Sequence, residues 1–535
     1  MNAAQLLVRC LENEGVGYVF GIPGEETLAL NAALDESEKI TFVLTRHEQA
    51  AAFMADVYGR LSTYPGVCLA TLGPGATNLL TGVADAQLDR APVVAITGQA
   101  DLERVHKESH QYIDVVGMFE PIVKWTARVQ IAETIPEIVR KAFRLARLEK
   151  PGATHIELPE DVAAENVAGA PLEVRRTAYP AAQPETIERA AELIARARAP
   201  VALVGNGVVR RDAAGHGTVK ALRAFVERSG IPAAHTFMAK GALPPDGSLG
   251  PVGLQRAGAD LALVPRLAEA DLVIAIGYDL VEWAPALWNP KKGKTVVHID
   301  STPAELDGHY QPKVEVVGEI DESLDALTAL LAARPREQGV RHRRIGKLSF
   351  PLAPAAVVLA LRRVLGDEDV VVCDVGAHKV WLARLYSASC PNTVVISNGL
   401  ASMGIALPGA IAAKLVRPDR KVVAFSGDGG FLMNVQELET AKRINAAIVC
   451  VVLVDGRLGV IEVNERRLFG RTFATEFGNP DFVALARAFG IAGFAVERAE
   501  DLEPTLRRAL DLNAPALVAV PVDSSQNDRL SQEAE

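Results

Sequence analysis

Short apolar runs rich in valine and isoleucine alternate along this chain with longer stretches whose apolar residues return every three or four positions. Runs with little internal alternation fit strands buried on both faces. Their alternation with helical stretches is the signature of parallel sheets covered by helices. The pattern predicts strands over Gly17–Phe20, Val67–Thr71, Val93–Ile96, Ala202–Val204, Leu272–Ile276, Val296–Ile299, Val370–Cys373, Val422–Phe425 and Ile448–Val454. Two stretches break it. Ala163–Pro184 mixes alanine, proline and charge, and Arg334–Pro354 holds three prolines and a basic cluster that reads as a solvated linker. Around them lie three α/β units, at about 1–165, 185–333 and 355–525, each expected to be a doubly wound parallel sheet. A chain of 535 residues is too long for one core, which agrees with that division.

Composition narrows the classes. With 49% hydrophobic and 23% charged residues the chain has a globular composition, not a disordered one. A net charge of −10 disfavours nucleic acid or an anionic membrane as partner. The five cysteines are scattered among apolar neighbours without CxxC spacing, so small buried hydrophobes are expected rather than zinc or disulfides. The first residues lack the apolar centre of a signal peptide, and no run of 18 apolar residues occurs. A cytoplasmic enzyme is expected.

The most informative segment is 422–461. An apolar strand ends in Ser426-Gly427-Asp428-Gly429-Gly430, and helical spacing follows through Val435, Leu438, Glu439 and Ala441. A second apolar strand ends at Asp455-Gly456, 27 residues after Asp428. Both acids therefore sit at the carboxyl ends of neighbouring strands, where α/β sheets bind ligands. Mg²⁺ takes octahedral oxygen ligands and shares them with phosphates. Asp428, Asp455 and a backbone carbonyl just after Asp455 could supply three oxygens. Two diphosphate oxygens and a water would complete six. The glycines let backbone N–H groups approach a phosphate.

Gly427-Asp428-Gly429, followed by a helix, a strand and an Asp-Gly turn, resembles the motif of thiamin-diphosphate enzymes. The resemblance extends over essentially the whole chain and is nearest to the catabolic, flavin-free acetolactate synthases. Asp455 in place of the commoner Asn, and the stretches 277–290 and 476–490, resemble that subgroup. The three units would then be pyrimidine-binding, central and diphosphate-binding domains. The resemblance implies Asp428, Asp455 and the Arg457 carbonyl as Mg²⁺ ligands. It implies Gly376, Ala377 and His378 against the diphosphate, with Gly427, Gly429 and Gly430. Ala401 and Met403 would grip the aminopyrimidine, and Leu458, Gly459 and Val460 would line the cofactor, with Val460 as the apolar wedge. By itself Val460 could equally be core.

Thiamin activation needs a carboxylate against the pyrimidine N1′ in a water-poor place. Glu48 lies at a strand-to-helix junction followed by small and apolar residues, which by local pattern fits that role or a helix-start acid equally well. The resemblance of His47-Glu48 and the following residues to the family's catalytic region implies the first, with His47 structural. It also implies that Ile22, Pro23, Gly24, Thr71, Gly75 and Asn78 line the cofactor site, although Asn78 could instead cap its helix. His110 and Gln111 match a polar pair near the reacting centre.

In this family the first unit of one subunit faces the third unit of another, which implies active sites between chains and a homodimer or homotetramer. In the middle unit, Gly205-Asn206-Gly207 lacks the third glycine of a dinucleotide fingerprint. Leu254-Gln255-Arg256 and Tyr278 to Glu282 stand where flavin-binding relatives carry their motifs, which argues against FAD. The expected reaction is the decarboxylation of pyruvate and ligation to a second pyruvate, giving 2-acetolactate and CO₂. The alternatives are another thiamin-dependent 2-keto acid decarboxylase or carboligase, a flavin or NAD oxidoreductase, and a cofactor-binding homologue without turnover. The absence of a His-His pair favours ligation over simple decarboxylation, and Glu48 argues against a glyoxylate carboligase. Gly456-Arg457 and the acidic Glu25-Glu26 pair keep the non-catalytic reading open.

Overall fold

The computed structural model describes residues 1–62, 64–175, 177–253, 264–333 and 349–530. Leu254-Gln255-Arg256 and most of the second predicted linker lie outside these residues.

Three parallel six-stranded sheets are stacked along the chain. The first holds β1 (Tyr18–Gly21), β2 (Thr41–Leu44), β3 (Gly66–Ala70), β4 (Val93–Gln99), β5 (Trp125–Arg128) and β6 (Ala153–Pro159) in the order β2-β1-β3-β4-β6-β5. The second holds β7 (Pro200–Val204), β8 (Ala233–Thr236), β9 (Pro251–Val252), β10 (Leu272–Ile276), β11 (Thr295–Asp300) and β12 (Val314–Val317) in the order β12-β11-β10-β7-β8-β9. The third holds β13 (Val370–Cys373), β14 (Val394–Ile396), β15 (Val422–Gly427), β16 (Ile448–Val454), β17 (Ala492–Ala495) and β18 (Ala516–Pro521) in the order β14-β13-β15-β16-β18-β17. The first and third sheets therefore share one winding, and the middle sheet has the dinucleotide-fold order.

All nine expected strands form, with ends shifted by no more than three residues. The helix expected directly after Gly430 is broken into a short turn, Asp428–Phe431, and a helix, Glu437–Arg443. The first linker, over 165–175 and 177–183, carries one isolated bridge, Asn2 to Asn166, and no helix or strand. Four cysteines are buried, Cys390 is half-buried, and all are free. No helix among the described residues is long and apolar enough to cross a membrane.

What places the site is the packing of the first sheet's helices on the third sheet's. Helix Glu48–Leu61 is buried along its length through Ala50, Ala51, Ala52, Phe53, Met54, Ala55 and Val57. It packs with helix Gly73–Leu88 and helix Ala406–Val416 in one core that also takes Val372, Ala424 and Val452 from the third sheet. The run of alanines allows that close approach, since each leaves room for the neighbouring backbone.

Candidate active site

In the third sheet the chain leaves β13 in one direction toward β14 and returns on the other side through β15. The switch point lies between β13 and β15, and the carboxyl ends there border a crevice. A cavity of about 370 Å³ fills that crevice. It is lined by Gly376, Ala377 and His378 after β13, Ala401 and Met403 after β14, Gly427, Asp428, Gly429 and Gly430 after β15, and Asp455, Arg457, Leu458, Gly459 and Val460 after β16. Every predicted third-unit residue thus reaches one space. Val460 is half-buried at its wall, not core.

Asp428 is buried. Its Oδ2 accepts the N–H groups of Asp455 at 3.0 Å and Gly456 at 2.7 Å, and the Asn479 amide at 2.7 Å. Its Oδ1 accepts only the Gly429 N–H, at 2.8 Å, and keeps a lone pair. Asp455 accepts the Arg457 N–H at 3.1 Å. Burial, then the nearby Asp428 charge, pushes the Asp455 carboxyl up to about 7. Arg457 and Glu476 form an antiparallel bridge flanked by Leu458 N–H to Thr475 O at 2.9 Å and Phe477 N–H to Gly456 O at 3.0 Å. That pattern turns Arg457's own N–H and C=O away from Glu476, to the side where its N–H meets Asp455. Its side chain is held elsewhere, by Glu462 at 2.7 Å and Glu476 at 3.0 Å.

The residues present fit a magnesium diphosphate. Two carboxylates approach each other, and among the described residues neither has an ion-pair partner, so a divalent cation would offset their repulsion. His378 is buried with Nε2 lacking any partner, and burial lowers its pKa to about 3. At Gly376 φ is +158°, and a Cβ would stand 2.8 Å from His378 Cε1, so only glycine brings this backbone to the cavity.

The first sheet forms a second, separate cluster. Glu48 begins its helix and is buried, and Asn78 donates to its Oε2 at 2.9 Å. A Cβ on Gly75 would stand 3.4 Å from Glu48 Oε1 and 3.0 Å from Thr71 Cγ2. A Cβ on Gly24 would stand 2.4 Å from Thr71 Cβ, and Ile22 N–H reaches Leu69 O at 3.4 Å, so Ile22, Pro23 and Gly24 run beside the end of β3 and Thr71 just after it. His47 caps the helix, accepting the Gln49 N–H on Nδ1 at 3.1 Å. The capping alternative for Asn78 does not hold, because Leu72 occupies the cap and the Asn78 amide is turned to Glu48. His110 and Gln111 are exposed, and no hydrogen bond among the described residues joins either side chain to Glu48. Gln111 has φ +57° and its carbonyl would meet a Cβ on Gly73 at 2.5 Å. Glu26, feared as a repulsive charge, is buried and accepts the Thr71 hydroxyl at 2.8 Å.

Comparison with known proteins identifies the family. Residues 1–118, 187–327 and 374–520 match, in turn, the N-terminal TPP binding, central and C-terminal TPP binding domains of the thiamine pyrophosphate enzymes. The acetolactate synthase of Bacillus subtilis (strain 168) is 38% identical, over 99% of this chain and 95% of its own. The catabolic acetolactate synthase of Raoultella terrigena is 38% identical, over 99% and 96%. Isozyme 2 large subunit of the Escherichia coli (strain K12) enzyme is 35% identical, over 98% and 96%. The chain belongs to the thiamine-pyrophosphate-dependent acetolactate synthase family.

Three residues of this acetolactate synthase family member escape sequence reasoning. Asp374 is buried after β13 and accepts N–H groups from Val375 at 2.7 Å and Gly404 at 2.8 Å and the Ser426 hydroxyl at 3.1 Å, tying three loops together. Asn434 donates to Gly404 O at 2.9 Å. Asn479 contacts Asp428 from 51 residues away. Only Asp374, an acid closing an apolar run, carried a visible signal. In the middle unit, the Asn206 N–H donates to both Glu282 carboxylate oxygens at 2.9 Å, and Gly207 N–H donates to Gly277 O at 2.8 Å. The loop amides that would meet a dinucleotide phosphate are thus occupied by the protein itself.

Proposed function

We propose that this protein condenses two molecules of pyruvate to 2-acetolactate with release of CO₂, using thiamin diphosphate and Mg²⁺ held between two copies of the chain. The observation that carries the reading is the pair of carboxylates, Asp428 and Asp455, without an ion-pair partner among the described residues, beside a glycine cradle and the orphaned His378 Nε2. The printed names of the full-length relatives support acetolactate as product.

Asp428, Asp455 and the Arg457 carbonyl would hold the metal, and Gly376, Ala377 and Gly430 would present backbone N–H groups to the diphosphate, with Gly429, whose N–H is held by Asp428, lining the cradle. Bound thiamin diphosphate supplies the electron sink that decarboxylation of a 2-keto acid needs. Glu48 would hold a proton at the pyrimidine N1′, and the Asn78 amide fixes the carboxylate that does so. Ala401 and Met403 would set the ring's height above the cradle, and Val460 would exclude water beneath it. Among the described residues none of the first sheet lines the cavity that holds Asp428, which supports Glu48 reaching that cavity from a second chain. The occupied amides at Asn206 and Gly207 support a flavin-free enzyme.

The test is a product assay. Purified protein with Mg²⁺, thiamin diphosphate and pyruvate should yield acetolactate and CO₂ in equal amounts. Release of free acetaldehyde, or turnover only of another 2-keto acid, overturns the assignment.

A further inference from the structure

The loop Ser397–Met403 follows β14 and places Asn398, Ala401 and Met403 on the cavity wall. Ala401 has φ +57°, a strained value for a residue with a Cβ, and such strain persists only where the surroundings hold it. The groups that hold it come from the first unit. Asp89 accepts the Asn398 N–H at 3.2 and 3.3 Å and the Gly399 N–H at 2.5 Å. Asp85 Oδ1 accepts the Ser397 hydroxyl at 2.7 Å and the Ser402 N–H at 3.4 Å.

The burial of these acids explains why the loop cannot relax away. Asp56, Asp85 and Asp89 have fully buried side chains and share one guanidinium, Arg60, at 2.5, 3.5 and 2.6 Å. Lys379 is the other cation near Asp85 and Asp89, and its Nζ donates to Ser397 O at 3.2 Å. Burial, then the Asp89 and Asp56 charges, holds the Asp85 carboxyl well above its ordinary range, so the buried cluster depends on N–H and hydroxyl groups as well as on its cations. Asn398, Gly399 and Ser402 provide them. Arg60 adds a bond from Nη1 to Ile396 O at 3.0 Å, at the root of the loop. The middle unit closes the remaining side, with Asn398 Nδ2 donating to Glu282 O at 2.8 Å.

We propose that Asp85 and Asp89 are positioning residues that hold the Ser397–Met403 loop in the shape that receives the cofactor's pyrimidine ring. The inference rests on the thiamin diphosphate reading above. It separates two parts of the site. The diphosphate cradle stands on Gly376–His378 and Gly427–Gly430, whereas the ring's platform depends on carboxylates of another unit.

Calorimetric titration of the full-length protein with two ligands in the presence of Mg²⁺ tests it. Asp89→Asn should weaken thiamin diphosphate about tenfold, the effect of losing one charge-assisted bond, and leave inorganic pyrophosphate, which meets only the cradle, unchanged. Gly399→Ala approaches the same contact from the loop, since a Cβ there would stand 2.7 Å from Asp89 Oδ1, and should give the same pattern if Asp89→Asn fails to fold. Parallel weakening of both ligands, or of neither, overturns the positioning role. A wild-type protein that binds pyrophosphate but not thiamin diphosphate overturns the functional reading beneath it as well.

Discussion

Glu48 accepts one hydrogen bond, from Asn78, and a glutamine of the same shape still accepts it. Glu48→Gln should therefore fold and bind cofactor as the wild type does, yet lose at least about a hundredfold in acetolactate formation, the weight of a lost proton-holding group. Turnover within a few fold of wild type would remove Glu48 from the mechanism. Glu437 offers a pH test outside the metal site. It accepts the Arg46 N–H at 2.9 Å and the Thr440 hydroxyl at 2.6 Å, joining the first and third units. Burial raises its carboxyl from 4.5 to about 7, a shift worth up to roughly 3 kcal/mol. A raised folded pKa gives stability that is complete below pH 4.5 and is lost as pH rises through about 7. Urea unfolding between pH 5 and 8 should show a smaller decline in Glu437→Gln than in the wild type. Equal slopes would mean that the carboxyl titrates normally. At this scale Asp428 and Asp455 are legible in the sequence, because two glycine-flanked acids closing two apolar runs have a spacing to read. Asn479 is not, because its contact with Asp428 is made by a turn that no local pattern announces.

Long apolar runs were legible as elements, although the apolar, buried β14 and β18 were not read. Val370–Cys373 and Ile448–Val454 form as read. β6 escapes because Thr154, His155 and Glu157, buried on its two faces, break an apolar run. His155 stays neutral between the Thr97 and Thr126 hydroxyls at 2.9 and 2.7 Å, its pKa lowered to about 3 by burial. Glu157 is paired with Arg128. Polar groups matched across strands thus look like loop in the sequence and core in the fold. The edge strands β2, β5 and β17 are partly exposed and only four residues long, too short for a pattern to read. The helices show the opposite economy, where one glycine decides a crossing. A Cβ on Gly82 would stand 2.5 Å from Ala52 Cβ, so helices Gly73–Leu88 and Glu48–Leu61 meet there with backbones almost touching. Gly82→Val should destabilise the protein by about 2–3 kcal/mol in urea unfolding, as overpacking does. Because these helices carry Asn78 and Glu48, turnover should fall in the same variant at a denaturant-free temperature where it is still folded. Wild-type stability in this variant would show that the helices part without cost.

At the scale of the molecule, the two halves of the proposed site stand on different sheets of one chain. The cavity beside Asp428 is lined by the third unit with Phe237 and Gly253 of the middle unit, and Glu48 faces elsewhere. A single chain could therefore fold completely and still hold no complete site, and on the proposed reading assembly is part of the chemistry. Two inactive variants expose this. Glu48→Gln damages the first-unit half and Asp428→Ala the third-unit half. When each site draws on both chains, a mixed dimer holds one site with both lesions and one with neither. Random co-assembly makes half the dimers mixed, so co-expressed variants separated by different tags should recover about a quarter of wild-type activity. When each site lies within one chain, every site carries one lesion and the mixture stays as inactive as its parents. The recovered activity should also purify with the doubly tagged species alone, since neither pure variant dimer contains an intact pair of Glu48 and Asp428.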